Sequence, residues 1–147
     1  MARTTSPATR SPLRLAATGV AATFVLVGVL GFVPGIVTNY GELAFAGHHS
    51  GAMLLGLFQI SVLHNVVHLL FGLVGLAMAR KDSGARSYLL FGGATYLVLW
   101  LFGLFIEDES SLNFVPVNQA DDFLHLALGL GMIALGLVVV DRRGEAA

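Results

Sequence analysis

The sequence has no cysteine, a single lysine and few charged residues of either sign. Without cysteine the chain can form no disulfide, hold no metal through thiolates and offer no thiol nucleophile. Its one lysine, Lys81, leaves no lysine-rich patch for nucleic acid, so we expect no nucleic-acid partner. Charged residues make up 12% of the chain, about half of the roughly 25% that is typical of soluble domains. The chain is therefore not a typical soluble domain.

Motifs of common enzyme classes are also absent from the sequence. It contains no glycine-rich phosphate loop, no serine nucleophile elbow and no H-E-x-x-H metal motif. What it does contain is apolar: 56% of its residues are hydrophobic and its mean hydropathy is +0.81. Such a chain has too little polar surface to cover itself in water, so we expect the lipid bilayer as its solvent. No catalytic residue is predicted.

Four apolar stretches are long enough to cross the bilayer. They cover residues 15–33, 53–79, 88–106 and 122–140, and a transmembrane helix needs about 20 residues. Helices are expected because lipid offers backbone amides no partner outside the segment itself. The predicted fold is an all-α integral membrane four-helix bundle over residues 15–140, with tails at 1–14 and 141–147.

Basic residues fall on one side of this four-helix prediction, and the acidic loops fall on the other. The basic side carries Arg3, Arg10, Arg14, Arg80, Lys81, Arg86, Arg142 and Arg143. The opposite side carries Glu42, Glu107, Asp108, Glu109, Asp121 and Asp122. The positive-inside rule then predicts a multi-pass protein of the cell membrane with both termini in the cytoplasm.

A secretory signal peptide is the alternative interpretation of the first apolar stretch. The run Ala44-Phe45-Ala46 resembles a cleavage site of the A-x-A type. Residues 34–46 lie between the end of the apolar run and the point of cleavage after Ala46, and the run is long for the apolar part of a signal peptide. A retained membrane helix is therefore favoured.

The second apolar stretch contains polar side chains, in the run HNVVHLL at residues 64–70. On a helix that turns about 100° per residue, His64, Asn65 and His68 fall in one arc, together with Gly72 and Gly75. That arc cannot face lipid, because each unsatisfied polar group there costs several kilocalories per mole. We expect it to face another helix, with the glycines allowing close approach.

The fourth stretch repeats this pattern 57 residues later, where LHNVVHLLFGL aligns with ADDFLHLALGL. Both stretches run from outside to inside, so we predict two helical hairpins that form a weak parallel repeat. The corresponding polar and close-packing positions are Asp121, Asp122, His125, Gly129 and Gly136. The two aspartates follow Asn118, which predicts that they cap the start of the fourth helix.

These residues predict a polar face between the second and fourth helices, formed by His64, Asn65, His68, Asp121, Asp122 and His125. The favoured interpretation is packing: the imidazoles hydrogen-bond to Asn65, Asp122 and Ser61, and the chain is a structural or accessory membrane protein that needs no cofactor. Oligomeric state and any membrane-complex partner are left open.

Two other interpretations use the same face. A transition metal could be held by His64, His68, His125 and Asp121, or a haem between facing imidazoles. A proton path or small transporter is the third interpretation. It is disfavoured because the second and fourth stretches carry no second polar belt before Arg80 and Asp141.

The runs LFQISVLHNVVHLLFGLVGL and FVPVNQADDFLHLALGLGM resemble an uncharacterised four-span family, a domain of unknown function found mainly in high-G+C Gram-positive bacteria. The shared features are His-Asn-x-x-His in the second stretch and Asn-x-Ala-Asp-x-x-Leu-His at the start of the fourth. Asp122 stands where many relatives have asparagine, which makes the outer edge of the face more acidic. The resemblance covers about residues 15–140 and implies the four-helix fold, but no activity.

Overall fold

A computed structural model of the chain describes residues 10–106, 110 and 112–139. Within them the chain forms four α-helices and a small antiparallel sheet of three two-residue strands, in the order β1-β2-β3. The helices are α1 (Pro12–Leu30), α2 (Val62–Met78), α3 (Asp82–Phe105) and α4 (Gln119–Val138). The strands are β1 (Val37–Thr38), β2 (Met53–Leu54) and β3 (Phe58–Gln59), all between α1 and α2.

Three of the helices, α1, α3 and α4, are long and apolar enough to cross a membrane. The fourth, α2, is apolar but shorter, with 17 residues. The prediction of a mainly helical chain with four apolar helices is confirmed. The sheet was not predicted.

The second apolar stretch is not helical from its beginning, and the prediction of a helix from residue 53 is wrong. Residues 53–54 pair with residues 58–59 as antiparallel strands. The chain reverses at Leu55 and Gly56, which both have positive φ angles, and glycine adopts that conformation readily. Helix α2 starts only after Ser61, whose Oγ accepts a hydrogen bond from the His64 backbone N–H at 3.1 Å.

The helices pack mainly as two pairs, α1 with α2 and α3 with α4, while α2 and α4 approach each other least. Glycines allow the close approach within each pair. A Cβ atom on Gly72 would lie 2.7 Å from the backbone oxygen of Ala21 in α1. A Cβ on Gly93 in α3 would lie 2.8 Å from the backbone oxygen of Gly129 in α4. The backbones of each pair are therefore in direct contact.

Buried positions recur at fixed spacings between the two pairs. Four buried residues of α1 match buried residues of α3 after 72 positions: Leu13 with Ala85, Ala17 with Leu89, Ala21 with Gly93, and Phe24 with Tyr96. Four of α2 match α4 after 57 positions: His64 with Asp121, His68 with His125, Gly72 with Gly129, and Gly75 with Met132. The rings of Phe24 and Tyr96 stack in the core, with centroids 5.3 Å apart.

Hydrogen bonds join four helix ends at the basic end of the bundle. Arg14 near the start of α1 donates from Nε to the Ala79 carbonyl at the end of α2, at 3.1 Å. Ser11 Oγ donates to the carboxylate of Asp82 at the start of α3. Arg86 donates to the Val139 carbonyl after α4. The described basic residues, Arg10, Arg14, Arg80, Lys81 and Arg86, all belong to this end; Arg3, Arg142 and Arg143 lie outside the described residues.

The loops at the other end of the bundle are hydrogen-bonded to one another. The Val62 backbone N–H at the start of α2 donates to the Ala44 carbonyl, at 3.0 Å. The Gly47 N–H donates to the Phe114 carbonyl in the loop before α4, at 2.7 Å. The loop between α1 and α2 is thereby attached to the loop between α3 and α4. Residues 107–109 of the predicted acidic loop lie outside the described residues.

Candidate functional site

Three histidines from α2 and α4 converge on one cavity. His64 and His68 lie one turn apart on α2, with ring centroids 4.6 Å apart, and His125 comes from α4. Only 4%, 9% and 4% of their respective surfaces are exposed. All three line a cavity of about 280 Å³. The structure therefore brings these three side chains to one cavity, across a space rather than through direct packing of α2 on α4.

The walls of the cavity are otherwise apolar, apart from the phenol of Tyr96. They come from α2, α3 and the loop before α4, and consist of Val67, Tyr96, Val98, Leu99, Phe102, Phe114, Val115 and Val117. Val67, Val98 and Phe114 are 45%, 64% and 59% exposed, so the cavity reaches the apolar outer surface between α2 and α3. A molecule could enter from that side without crossing a polar surface.

Each of the three imidazoles has one nitrogen without a partner. The Nδ1 atoms of His64, His68 and His125 are buried and have no hydrogen-bond partner among the described residues. Leaving a buried polar atom unpaired costs about 1–3 kcal/mol. A neutral imidazole can donate through one nitrogen and accept through the other. The cavity is therefore bordered by three imidazoles that each have an unpaired nitrogen, and the rest of its lining is mainly apolar.

Side chains predicted to satisfy these imidazoles are engaged elsewhere. Ser61 Oγ accepts the backbone N–H of His64, as the N-cap of α2. Asn65 Nδ2 donates to the Gly31 carbonyl at the end of α1, at 2.8 Å. Asn65 therefore faces α1 and not α4, and the bonds described for these two side chains are to backbone groups.

Asp121 caps the start of α4, and Asp122 faces α3. Asp121 Oδ2 accepts the backbone N–H groups of Asn118 and Gln59, each at 3.0 Å, and Asn118 Oδ1 accepts the N–H of Asp121 at 3.0 Å. This reciprocal capping box also attaches α4 to β3. The carboxylate of Asp122 lies against Gly103 of α3. The predicted six-residue face is thus divided: the histidines meet at the cavity, while Asn65, Asp121 and Asp122 attach helices to other parts of the chain.

A metal centre is not assembled among the described residues. Within residues 10–106, 110 and 112–139, no three histidine, aspartate or glutamate side chains are arranged to hold a metal ion. Asp121, one of the four predicted ligands, has the oxygen Oδ2 occupied by two backbone N–H groups. Metal or haem ligation by His64, His68 and His125 stays a prediction.

The sequence prediction missed two aromatic residues beside the histidines. The ring centroids of Phe24 in α1 and His68 are 5.6 Å apart, and those of Tyr96 in α3 and His125 are 5.3 Å apart. The rings of Phe24 and Tyr96 stack on each other. The four rings form a continuous row from α2 to α4. The spacing of 72 residues that relates Phe24 to Tyr96 is the sequence feature that could have identified this pair.

Comparison with known proteins identifies a family without assigning an activity. A family model described as domain of unknown function DUF4383 matches residues 14–138. This range includes α2, α3, α4 and nearly all of α1. No curated protein and no solved structure matches the chain. The resemblance to an uncharacterised family is confirmed: the chain belongs to the family DUF4383, a domain of unknown function.

Proposed function

We propose that the protein is a multi-pass protein of the cell membrane, with four inserted helices and both termini in the cytoplasm. Three long apolar helices support insertion, and the described basic residues at one end of the bundle support the orientation. Helix α2 rises about 25 Å at 1.5 Å per residue, and 17 residues is the lower limit for a spanning helix. The recurring buried positions support a parallel repeat of the two helix pairs, with its axis along the membrane normal.

Within this bundle, we propose that the histidine-lined cavity binds a small lipid-soluble molecule with a polar, hydrogen-bonding group. One observation carries the proposal: three buried imidazoles, each with an unpaired Nδ1, line an apolar cavity of about 280 Å³. Ligand sites are typically apolar concavities in which a few polar groups fix the orientation of the ligand. An occupant with a carbonyl or hydroxyl group would satisfy imidazole nitrogens while its apolar part filled the rest of the cavity.

The structural or accessory role is the second interpretation, and it is less well supported. It relied on Asn65, Asp122 and Ser61 to satisfy the imidazoles, and Asn65 and Ser61 are bonded to backbone groups. A bundle that required only packing would gain stability from apolar side chains at these three positions, since unpaired buried polar atoms cost free energy. Neither metal binding nor transport is favoured by an observation among the described residues.

The test is chemical extraction of the purified protein. The double variant His68→Phe/His125→Phe keeps two aromatic rings at the cavity and removes their hydrogen bonds. The control His48→Phe/His49→Phe removes two histidines from the loop between α1 and α2, outside the cavity. Mass spectrometry of organic extracts should find a stoichiometric small molecule in the parent and the control. The cavity variant should contain at least tenfold less, because each lost hydrogen bond contributes about 1 kcal/mol.

Two results would contradict the proposal. One is an equal amount of the molecule in the cavity variant and the control. The other is a parent extract without any stoichiometric small molecule, together with normal folding of the cavity variant by circular dichroism. The second result would establish that the histidines serve packing alone.

A further inference from the structure

A second cavity lies at the basic end of the bundle, away from the histidines. It has a volume of about 200 Å³ and lies where α1 begins and α2 ends. Its lining consists of Arg10, Arg14, Thr18, Leu76, Ala79 and Arg80. Three of these six residues carry a permanent positive charge, so the cavity differs in character from the apolar histidine cavity.

No carboxylate balances these charges within the cavity. Among the described residues, its lining includes no aspartate or glutamate. Asp82, at the start of α3, accepts a hydrogen bond from Ser11. Three guanidinium groups around a small space repel one another, and the repulsion is relieved when they share an anion. The arrangement therefore favours a negatively charged occupant.

Local structure adds to this preference. Arg14 donates from Nε to the Ala79 carbonyl at 3.1 Å, which fixes the plane of its guanidinium group beside the cavity. The N-terminus of α1 already has an anionic partner, because its N-cap Ser11 donates to the Asp82 carboxylate. A positioned guanidinium group binds phosphate through charge-assisted hydrogen bonds.

We infer that this cavity binds a phosphate group, and that its source is the headgroup of an anionic phospholipid. Basic pockets between helices on the cytoplasmic side of a membrane recognise such headgroups. Leu76 forms part of the lining, and Leu15 and Leu73 on the adjoining turns are 55% and 54% exposed. Acyl chains could lie along these leucines while the phosphate meets the arginines. The inference depends on membrane insertion and is independent of the histidine cavity.

The variant chosen for the test is Arg10→Gln/Arg80→Gln. Both arginines are exposed, so the fold should tolerate their replacement. The matched control Lys81→Gln/Arg86→Gln removes two positive charges from the same end of the bundle, outside the cavity lining. Any general attraction between this end and anionic lipid should fall equally in both variants. Only a specific site would make the loss of lipid binding larger in the cavity variant than in the control.

The first measurement is native mass spectrometry of the full chain in bilayers of equal phosphatidylcholine and phosphatidylglycerol. The parent and the control should retain phosphatidylglycerol preferentially. The cavity variant should lose about a hundredfold more of that preference than the control, the factor that two charge-assisted hydrogen bonds to a phosphate represent. No preference in the parent, or equal losses in the two double variants, would overturn the site.

The second measurement identifies the source of the phosphate. Thermal unfolding is followed in detergent with added phosphatidylglycerol or with inorganic phosphate. Phosphatidylglycerol should raise the unfolding temperature of the parent and the control, but not that of the cavity variant. If inorganic phosphate alone produced the same rise, a soluble phosphate compound would be the ligand and the lipid assignment would be wrong.

Discussion

Asn65 is the side chain that attaches the start of α2 to the end of α1. It is 1% exposed, and its Nδ2 donates to the Gly31 carbonyl, at the end of α1, at 2.8 Å. Helix C-terminal carbonyls have no partner within their own helix, so this bond satisfies a group that lipid could not. Gly31 has no side chain, and a Cβ there would collide with the Asn65 amide.

We predict that Asn65→Leu destabilises the protein by about 1–3 kcal/mol, because a similar volume is kept while the Gly31 carbonyl loses its donor. Reversible unfolding in mixed detergent micelles measures the change. Thr95→Val is the control, since Thr95 is exposed and bonds only to the Phe91 carbonyl of its own helix. Equal stability of the two variants would show that the Asn65 bond makes no net contribution.

Helical periodicity places polar residues on a buried face, but it does not choose their partners. His64, Asn65 and His68 are all buried, as their shared arc predicts. Their side chains nevertheless span about 100° around the helix axis, because the consecutive residues His64 and Asn65 differ by that angle. The histidines therefore reach the cavity beside α3 and α4, while Asn65 reaches α1. Which neighbour occupies which side of α2 follows from tertiary packing, which one helix's sequence does not contain.

The two helix pairs are held internally by contacts between backbones. Glycines were predicted to allow close approach, and Gly72, Gly129 and Gly136 do so within the pairs. Gly75 lies against Tyr88 of α3 as well as Ala21 of α1. Gly72 faces Ala21 and Val25, and Gly129 faces Gly93 and Leu97. The sequence identifies a small residue as a point of close approach but does not identify the approaching helix.

Gly72→Ala should destabilise the bundle by about 1–3 kcal/mol, because overpacked interfaces must move apart. The new Cβ would lie 2.7 Å from backbone atoms of Ala21 and Val25, which cannot rotate away as a side chain could. Gly19→Ala is the control, because no atom lies within 4 Å of its Cβ position. In the same unfolding assay, the control should be unchanged or slightly more stable, since alanine favours helix. A Gly72→Ala variant as stable as the control would contradict the described packing of α1 on α2.

The sheet could not be predicted from local sequence. Each strand has two residues, and the pairs Val37 with Leu54 and Met53 with Gln59 join separate segments of one loop. Strand propensity over two residues carries little information. By contrast, the four helices were predictable because about twenty apolar residues in succession leave few other structures in lipid.

At the scale of the whole molecule, the separation of charge between the two ends predicts the topology. Phe45 and Leu112 lie in loops at one end and are 72% and 62% exposed, while Lys81 lies exposed at the other. The natural chain has no cysteine, so each can be replaced by cysteine without background labelling.

Phe45→Cys and Leu112→Cys should react with a membrane-impermeant maleimide in intact cells, and Lys81→Cys only after the cells are permeabilised. The physical reason is that basic loops are retained in the cytoplasm. Labelling of Lys81→Cys in intact cells, with protection of the other two positions, would reverse the orientation. Labelling of all three would contradict the four-span topology.

The arrangement of the helices as two pairs has a mechanical consequence. Each pair is stiff, because its backbones touch at glycines, whereas α2 and α4 approach each other least. The histidine cavity draws its walls from both pairs: His64 and His68 from one, Tyr96 and His125 from the other. A small rocking of one pair against the other would change the width of the cavity while leaving each pair intact. The stacked rings of Phe24 and Tyr96 lie at the seam between the pairs.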